Sequence, residues 1–195
     1  MDLKLFSKSA FSAVLISVIV SFSANAATCS GVTMPDKLNS HNVEFVLNGM
    51  GVRLQKLLAF QVKVYVAALY LSKQSNDPEY IIEQDQPRYV AMYFLRDLDR
   101  GTIRKAMEES FRRNAGEKVA QMKSKIDSFQ KSLSGAKKGQ ILALSYIPGQ
   151  GTTVILDGKV KAQIEGADFA SALISLWLGK PPNREIKVGM LGGQC

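Results

Sequence analysis

The chain has 195 residues, 46% of them apolar and 22% charged, with a formal net charge of +8. That length supports one domain with a real hydrophobic core. The basic surplus suits an anionic ligand or a membrane surface; Lys and Arg residues are spread along the chain rather than packed into one block, which together with the export signal described next argues against nucleic acid.

The N-terminus reads as a secretory leader. Lys4 and Lys8 give a basic start, and an apolar run follows from Ala10 to Val20. It is shorter than the roughly 20 apolar residues a bilayer span needs, so cleavage is expected rather than an uncleaved anchor. Ala24-Asn25-Ala26 supplies the small-x-small cleavage pattern, dividing the chain into a signal peptide over 1–26 and one exported domain over 27–195 with no remaining transmembrane span. A Gram-negative cell would hold it in the periplasm, and any other would secrete it. A lipidated cysteine at Cys29 is disfavoured, because Ala26-Ala27-Thr28 lacks a branched apolar residue three positions earlier.

The only cysteines are Cys29 and Cys195. In an oxidising compartment they allow one intramolecular pairing, and a disulfide joining the termini is expected; two free or intermolecular thiols are the alternative.

Val43 to Leu47 alternates and runs into Asn48-Gly49, a hairpin signal, with a second strand expected from Gly51 to Leu58. Gln61 to Leu71 follows as a strand apolar on both faces, with Val62, Val64, Val66 and Ala68 on one and Tyr65, Ala67, Leu69 and Leu71 on the other, hence buried on both. Asp77-Pro78 opens a short helix, and Arg88 to Leu95 is a strand. From Asp99 the period becomes helical, with Ile103, Ala106, Met107, Ser110 and Phe111 on one face. A second helix carries the stripe Val119, Met122, Ile126, Phe129 and Leu133. Strands return at Gln140–Ile147, Thr152–Leu156 and Lys159–Ile164, joined by Pro148-Gly149-Gln150-Gly151 and by Asp157-Gly158. Ala167 to Leu178 is a closing apolar helix, with Gly179 as its cap and Pro181-Pro182 as the stop. Hairpin-joined strands with helices in two groups predict an α+β domain, a large antiparallel sheet covered by a layer of helices.

Few residues offer catalytic chemistry. His41 is the single histidine and falls in a polar lead-in before the first strand, a poor position for a Ser-His-Asp or Cys-His site. One His, two tail cysteines and no carboxylate cluster predict no metal, and no cofactor motif is present. Glu108 and Glu109 lie among Arg104, Lys105, Arg112 and Arg113, where ion pairing along a helix explains them. The pair that stands out is Arg53 with Tyr65. With a turn at Ala59-Phe60-Gln61, Leu58 faces Val62 and Arg53 faces Ala67, making Arg53 and Tyr65 diagonal neighbours on one side of the sheet. A guanidinium and a phenol rising from an apolar surface can share one anion, with Lys63 adding charge at the rim. The plainer alternative is an arginine lying over the sheet or paired with an internal acid such as Asp97, beside an ordinary core tyrosine.

Gly49-Met50-Gly51-Val52-Arg53 and Lys63-Val64-Tyr65-Val66-Ala67-Ala68-Leu69-Tyr70-Leu71 resemble the chalcone isomerase-like family, most closely its exported bacterial branch. So do Phe94-Leu95-Arg96-Asp97, Tyr146-Ile147-Pro148-Gly149-Gln150-Gly151-Thr152, and the stretch from Ile164-Glu165-Gly166 through Asp168-Phe169-Ala170 to Trp177-Leu178-Gly179. The resemblance spans about Val43 to Leu191. It implies a large antiparallel sheet wrapped by helices, with a cleft between the two layers. In the true isomerases an arginine at the position of Arg53 holds a substrate oxyanion as it adds to an enone, and a threonine stands at the position of Tyr65. Tyr65 departs from that pattern, as does the lack of a hydroxyl residue in Glu165-Gly166-Ala167-Asp168. The Arg/Tyr combination resembles instead the fatty-acid-binding members, in which it clamps a carboxylate. The resemblance therefore implies an exported binder of a small apolar anion, with Met107, Phe111, Ile126, Phe129 and Trp177 as candidate lining. The alternative is an isomerase, an intramolecular lyase, using Arg53.

Overall fold

A computed structural model of the chain describes residues 26–195. The basic start and apolar run read as an expected leader lie outside the described residues. Nine strands and six helices follow in the order β1 (Ala26–Cys29), β2 (Val32–Pro35), β3 (Lys37–Ser40), β4 (Val43–Leu57), β5 (Phe60–Leu71), α1 (Pro78–Glu83), β6 (Arg88–Phe94), α2 (Arg100–Ala115), α3 (Lys118–Gln121), α4 (Lys123–Ser132), β7 (Ile141–Ile147), β8 (Gly151–Leu156), β9 (Lys159–Ile164), α5 (Ala167–Leu178) and α6 (Arg184–Met190). Strands β3 to β9 form one seven-stranded antiparallel meander, and β1 pairs with β2 in a separate hairpin. The α+β class is as expected, a curled antiparallel sheet with helices packed on it. Among the described residues no helix is long and apolar enough to cross a membrane.

From Val66 to Leu71 strand β5 is buried on both sides, as its two apolar faces require, while its start at Phe60, Gln61 and Lys63 is exposed. Ala67, Leu69 and Leu71 join the main core with Phe111, Phe129, Phe169 and Trp177 from the helices. Val66, Ala68 and Tyr70 face the other way, into a second core closed by Cys29, Val32 and Met34 of the β1–β2 hairpin. Tyr70 fixes that hairpin by donating its hydroxyl to the Pro35 carbonyl at 2.9 Å.

Several local expectations change. The polar lead-in is structured: His41 and Asn42, with φ of 51° and 61°, form the turn between β3 and β4, a conformation that suits Asn at a two-residue hairpin turn. His41 Nδ1 lies 3.0 Å from Ser40 Oγ. The expected hairpin at Asn48-Gly49 is a bulge within one continuous 15-residue strand, β4. Asn48 is the extra residue, and its amide donates to the Met190 carbonyl at 2.8 Å while accepting from the Ser75 N–H at 2.7 Å. Gly49, which suggested a turn, and Gly51 make room for α6: a Cβ on Gly49 would sit 2.2 Å from the Gly189 carbonyl oxygen, and one on Gly51 would sit 2.2 Å from that of Ile186. The expected second long helix is broken at Met122 into α3 and α4. Helix α6 itself was not anticipated beyond the Pro181-Pro182 stop.

Cys29 and Cys195 form the expected disulfide, with their Cα atoms 5.6 Å apart. It ties the β1–β2 hairpin to the chain end just past α6.

Candidate ligand-binding cleft

The β4–β5 register builds the site. Leu57 pairs with Phe60 around a two-residue turn at Leu58-Ala59, where a three-residue turn at Ala59-Phe60-Gln61 was expected. Pairing runs unbroken to Leu54 and Lys63, and then Val64 is left over, so Arg53 stands directly opposite Tyr65. Without that bulge Arg53 would face Val64, and Tyr65 would be out of step with it. The two therefore share a face as directly opposed partners rather than as diagonal neighbours.

Both side chains open into a cleft of about 440 Å³ between the sheet and helices α2 and α5. Met92, Phe94 and Leu142 line it from the sheet, Ile103 and Met107 from α2, and Leu176 and Trp177 from α5. Lys105, Glu109 and Arg113 of α2 add charge to the lining, and Arg113 lies near Arg53. A volume of this size lies within the range of small-molecule sites, which are mostly apolar with a few convergent polar groups.

Tyr65 accepts a hydrogen bond from Trp177 Nε1 at 3.0 Å, and its ring meets Phe94 edge-on with centroids 6.1 Å apart. A phenol oxygen occupied as an acceptor by the indole keeps its own hydrogen to donate. Burial pushes the Tyr65 pKa up, only partly countered by the Trp177 bond and by the Arg53 charge, so the hydroxyl stays protonated.

Arg53 is half-buried. Its Nη1 donates to the Leu54 carbonyl and, at 3.4 Å, to Asn183 Oδ1. Asn183, just before α6, also accepts from the Leu54 N–H at 3.2 Å and donates to the Val52 carbonyl at 3.1 Å, clasping the bulged strand. Burial lowers the Arg53 pKa, Tyr65 opposes that, and nearby Arg113 lowers it further. Among the described residues none of the ion pairs includes Arg53; Asp97, the acid considered as its partner, binds Lys137 at 3.0 Å and the Lys138 N–H at 2.9 Å. Arg53 is thus a partly desolvated cation with a second cation near it and no carboxylate on it, an arrangement that an incoming anion would relieve.

Of the expected lining, Met107 and Trp177 reach the cleft. Phe111, Ile126 and Phe129 do not; they belong to the core, where Phe111, Phe129 and Phe169 pack with ring centroids 5.7 to 6.2 Å apart. A helical stripe looks alike whether it meets a cavity or a sheet, so periodicity could not separate them. Lys63 is exposed and outside the lining. Arg113 and Asn183, near Arg53, and Lys105, in the cleft lining, were not anticipated there, since only the packing of α2 and α6 places them.

The chalcone isomerase-like family model matches residues 26–192, and the chain belongs to that family. Among solved structures, the crystal structure of a fatty-acid-binding protein from Arabidopsis thaliana is similar, with a TM-score of 0.68 and 14% identity over 86% of this chain and 96% of that one. No curated protein sequence matches the chain.

Proposed function

We propose that this protein is an exported, non-catalytic binder of a fatty acid or similar apolar carboxylate. The observation that carries the reading is the pairing of Arg53, a guanidinium in no ion pair among the described residues, with the donating hydroxyl of Tyr65 in a cleft that combines charged groups with an apolar wall. Arg53 offers its remaining N–H groups and Tyr65 one short O–H to a carboxylate, and the acyl chain lies along Met92, Phe94, Ile103, Met107 and Trp177. Burial of that chain at about 25 cal/mol per Å² supplies most of the affinity. The similar Arabidopsis structure is described as a fatty-acid-binding protein, which supports this use of the fold. The disulfide is compatible with an oxidising, exported location.

The test is equilibrium binding to delipidated protein of a long-chain fatty acid and of its methyl ester. Saturable uptake of the acid, at least tenfold weaker for the ester and for Arg53→Ala, is the expected result. Equal uptake of acid and ester, unaffected by Arg53→Ala, contradicts the clamp. The isomerase alternative would use Arg53 to stabilise a developing oxyanion. With Tyr65 where the isomerases carry threonine, and its hydroxyl tied to Trp177, no enone turnover is expected; turnover abolished by Arg53→Ala would reverse that conclusion.

A further inference from the structure

The β4–β5 hairpin continues past the cleft and ends in Leu57-Leu58-Ala59-Phe60. Leu58 is 95% exposed, Phe60 74% and Leu57 53%, placing three large apolar side chains side by side in water. Leu58 also has a φ of 55°, in the left-handed region that glycine or asparagine occupies without strain. A turn selected for folding alone would carry neither that leucine nor the phenylalanine beside it. Along the hairpin itself the charge has one sign. No acidic residue occurs from Arg53 to Lys63; Lys56 and Lys63 flank the tip on the two strands, both exposed. Arg96 is exposed just beyond the Leu95 N–H, which bonds to the Val64 carbonyl of the same hairpin at 2.9 Å.

We propose that this hairpin tip docks the protein on a bilayer surface rich in anionic lipid. Leu57, Leu58 and Phe60 enter the boundary between headgroups and acyl chains, while Lys56, Lys63 and Arg96 meet the headgroup phosphates. The geometry also couples docking to the cleft. Arg53 and Gln55 of the same strand line it, and at about 3.3 Å per residue Leu58 lies about 10 Å beyond Gln55, comparable to the depth an interfacial element reaches. A docked hairpin therefore brings the cleft beside the membrane, from which an acyl chain can be drawn. That last step rests on the fatty-acid reading above; docking itself does not.

Flotation with vesicles tests the proposal, comparing phosphatidylethanolamine/phosphatidylglycerol with pure phosphatidylcholine at low and high salt. The variant L57S/L58N/F60S changes only exposed side chains, and asparagine suits the backbone at position 58, so it is expected to fold; its circular dichroism and melting temperature check this. The wild-type protein should bind the anionic vesicles and be released by salt. The triple variant should bind at least about tenfold more weakly, and Lys56→Gln and Lys63→Gln each about fivefold more weakly. Val160→Ser, at an exposed apolar residue on β9, should change nothing. Wild-type protein that ignores anionic vesicles overturns the proposal, as does vesicle binding that survives the triple variant. A self-association that the triple variant abolishes, without vesicle binding, makes the tip a contact between copies and overturns it too. Fatty-acid uptake from solution, measured in parallel, keeps the two readings separate: Arg53→Ala should lose uptake and keep vesicle binding, and the triple variant should do the reverse.

Discussion

At the scale of single residues, Arg53 and Tyr65 hold their protons for different reasons, and the proposed clamp uses both as donors. Arginine remains charged even with burial lowering its pKa, and burial raises that of Tyr65, so both stay donors across the ordinary pH range. The pH dependence of binding then belongs to the ligand. A free carboxyl titrates near about 4 to 5, and contact with Arg53 depresses that value in the complex. Affinity for a medium-chain acid should be constant above the free value and decline as pH falls through the bound one, as equilibrium dialysis would show; a decline beginning near neutrality would contradict the assignment. Tyr65→Phe removes one donor and leaves the Trp177 N–H without its acceptor, for an expected loss of about 1 kcal/mol, or fivefold in affinity. That Arg53 and Tyr65 share a face was legible in the sequence because the parity of a strand survives an error of two in register. Trp177 as the partner of Tyr65 was not, because their hydrogen bond spans 112 positions along the chain.

At the scale of elements, α6 links the fold to the site. Its backbone lies directly against β4, where Gly49, Gly51 and Gly189 leave no space for a Cβ. Asn183 at its start holds Leu54 and Arg53. Gly51→Ala should push α6 outward, lowering stability by about 1–3 kcal/mol in urea denaturation and weakening ligand binding, because Asn183 moves with the helix. An unchanged midpoint would show that the close approach is dispensable. The same glycines account for the largest misreading of the sequence. Asn48-Gly49 has the local chemistry of a hairpin turn, and nothing nearby in sequence shows that a helix more than 130 residues later fills the space above it. Helix α6 is only seven residues long, too short to be stable by propensity, and tertiary packing makes it. The strands β5 to β9 and the Asp157-Gly158 turn, where φ is 48° and 75°, were readable because their signals are local.

At the scale of the whole molecule, two cores lie on opposite faces of one sheet, and the disulfide joins the hairpin closing one of them to the chain end beyond α6. The sequence carried the α+β class because hairpin-joined strands and grouped helices admit no parallel winding. Reduction, or Cys195→Ser, should lower stability by up to about 4–5 kcal/mol in the chain-entropy model, read as a shift in denaturation midpoint; no shift would mean that the unfolded chain gains little from release. The cleft between sheet and helices contains Trp177, the chain's single tryptophan, which bonds to Tyr65 and so reports on the site directly. The most direct measurement is therefore Trp177 fluorescence while delipidated protein is titrated with dibrominated stearic acid, whose bromines quench only at contact. Saturable quenching that is lost in Arg53→Ala and relieved by competing unbrominated stearate is the predicted result. Absent quenching, or quenching equally strong in Arg53→Ala, would contradict a fatty-acid site anchored by Arg53.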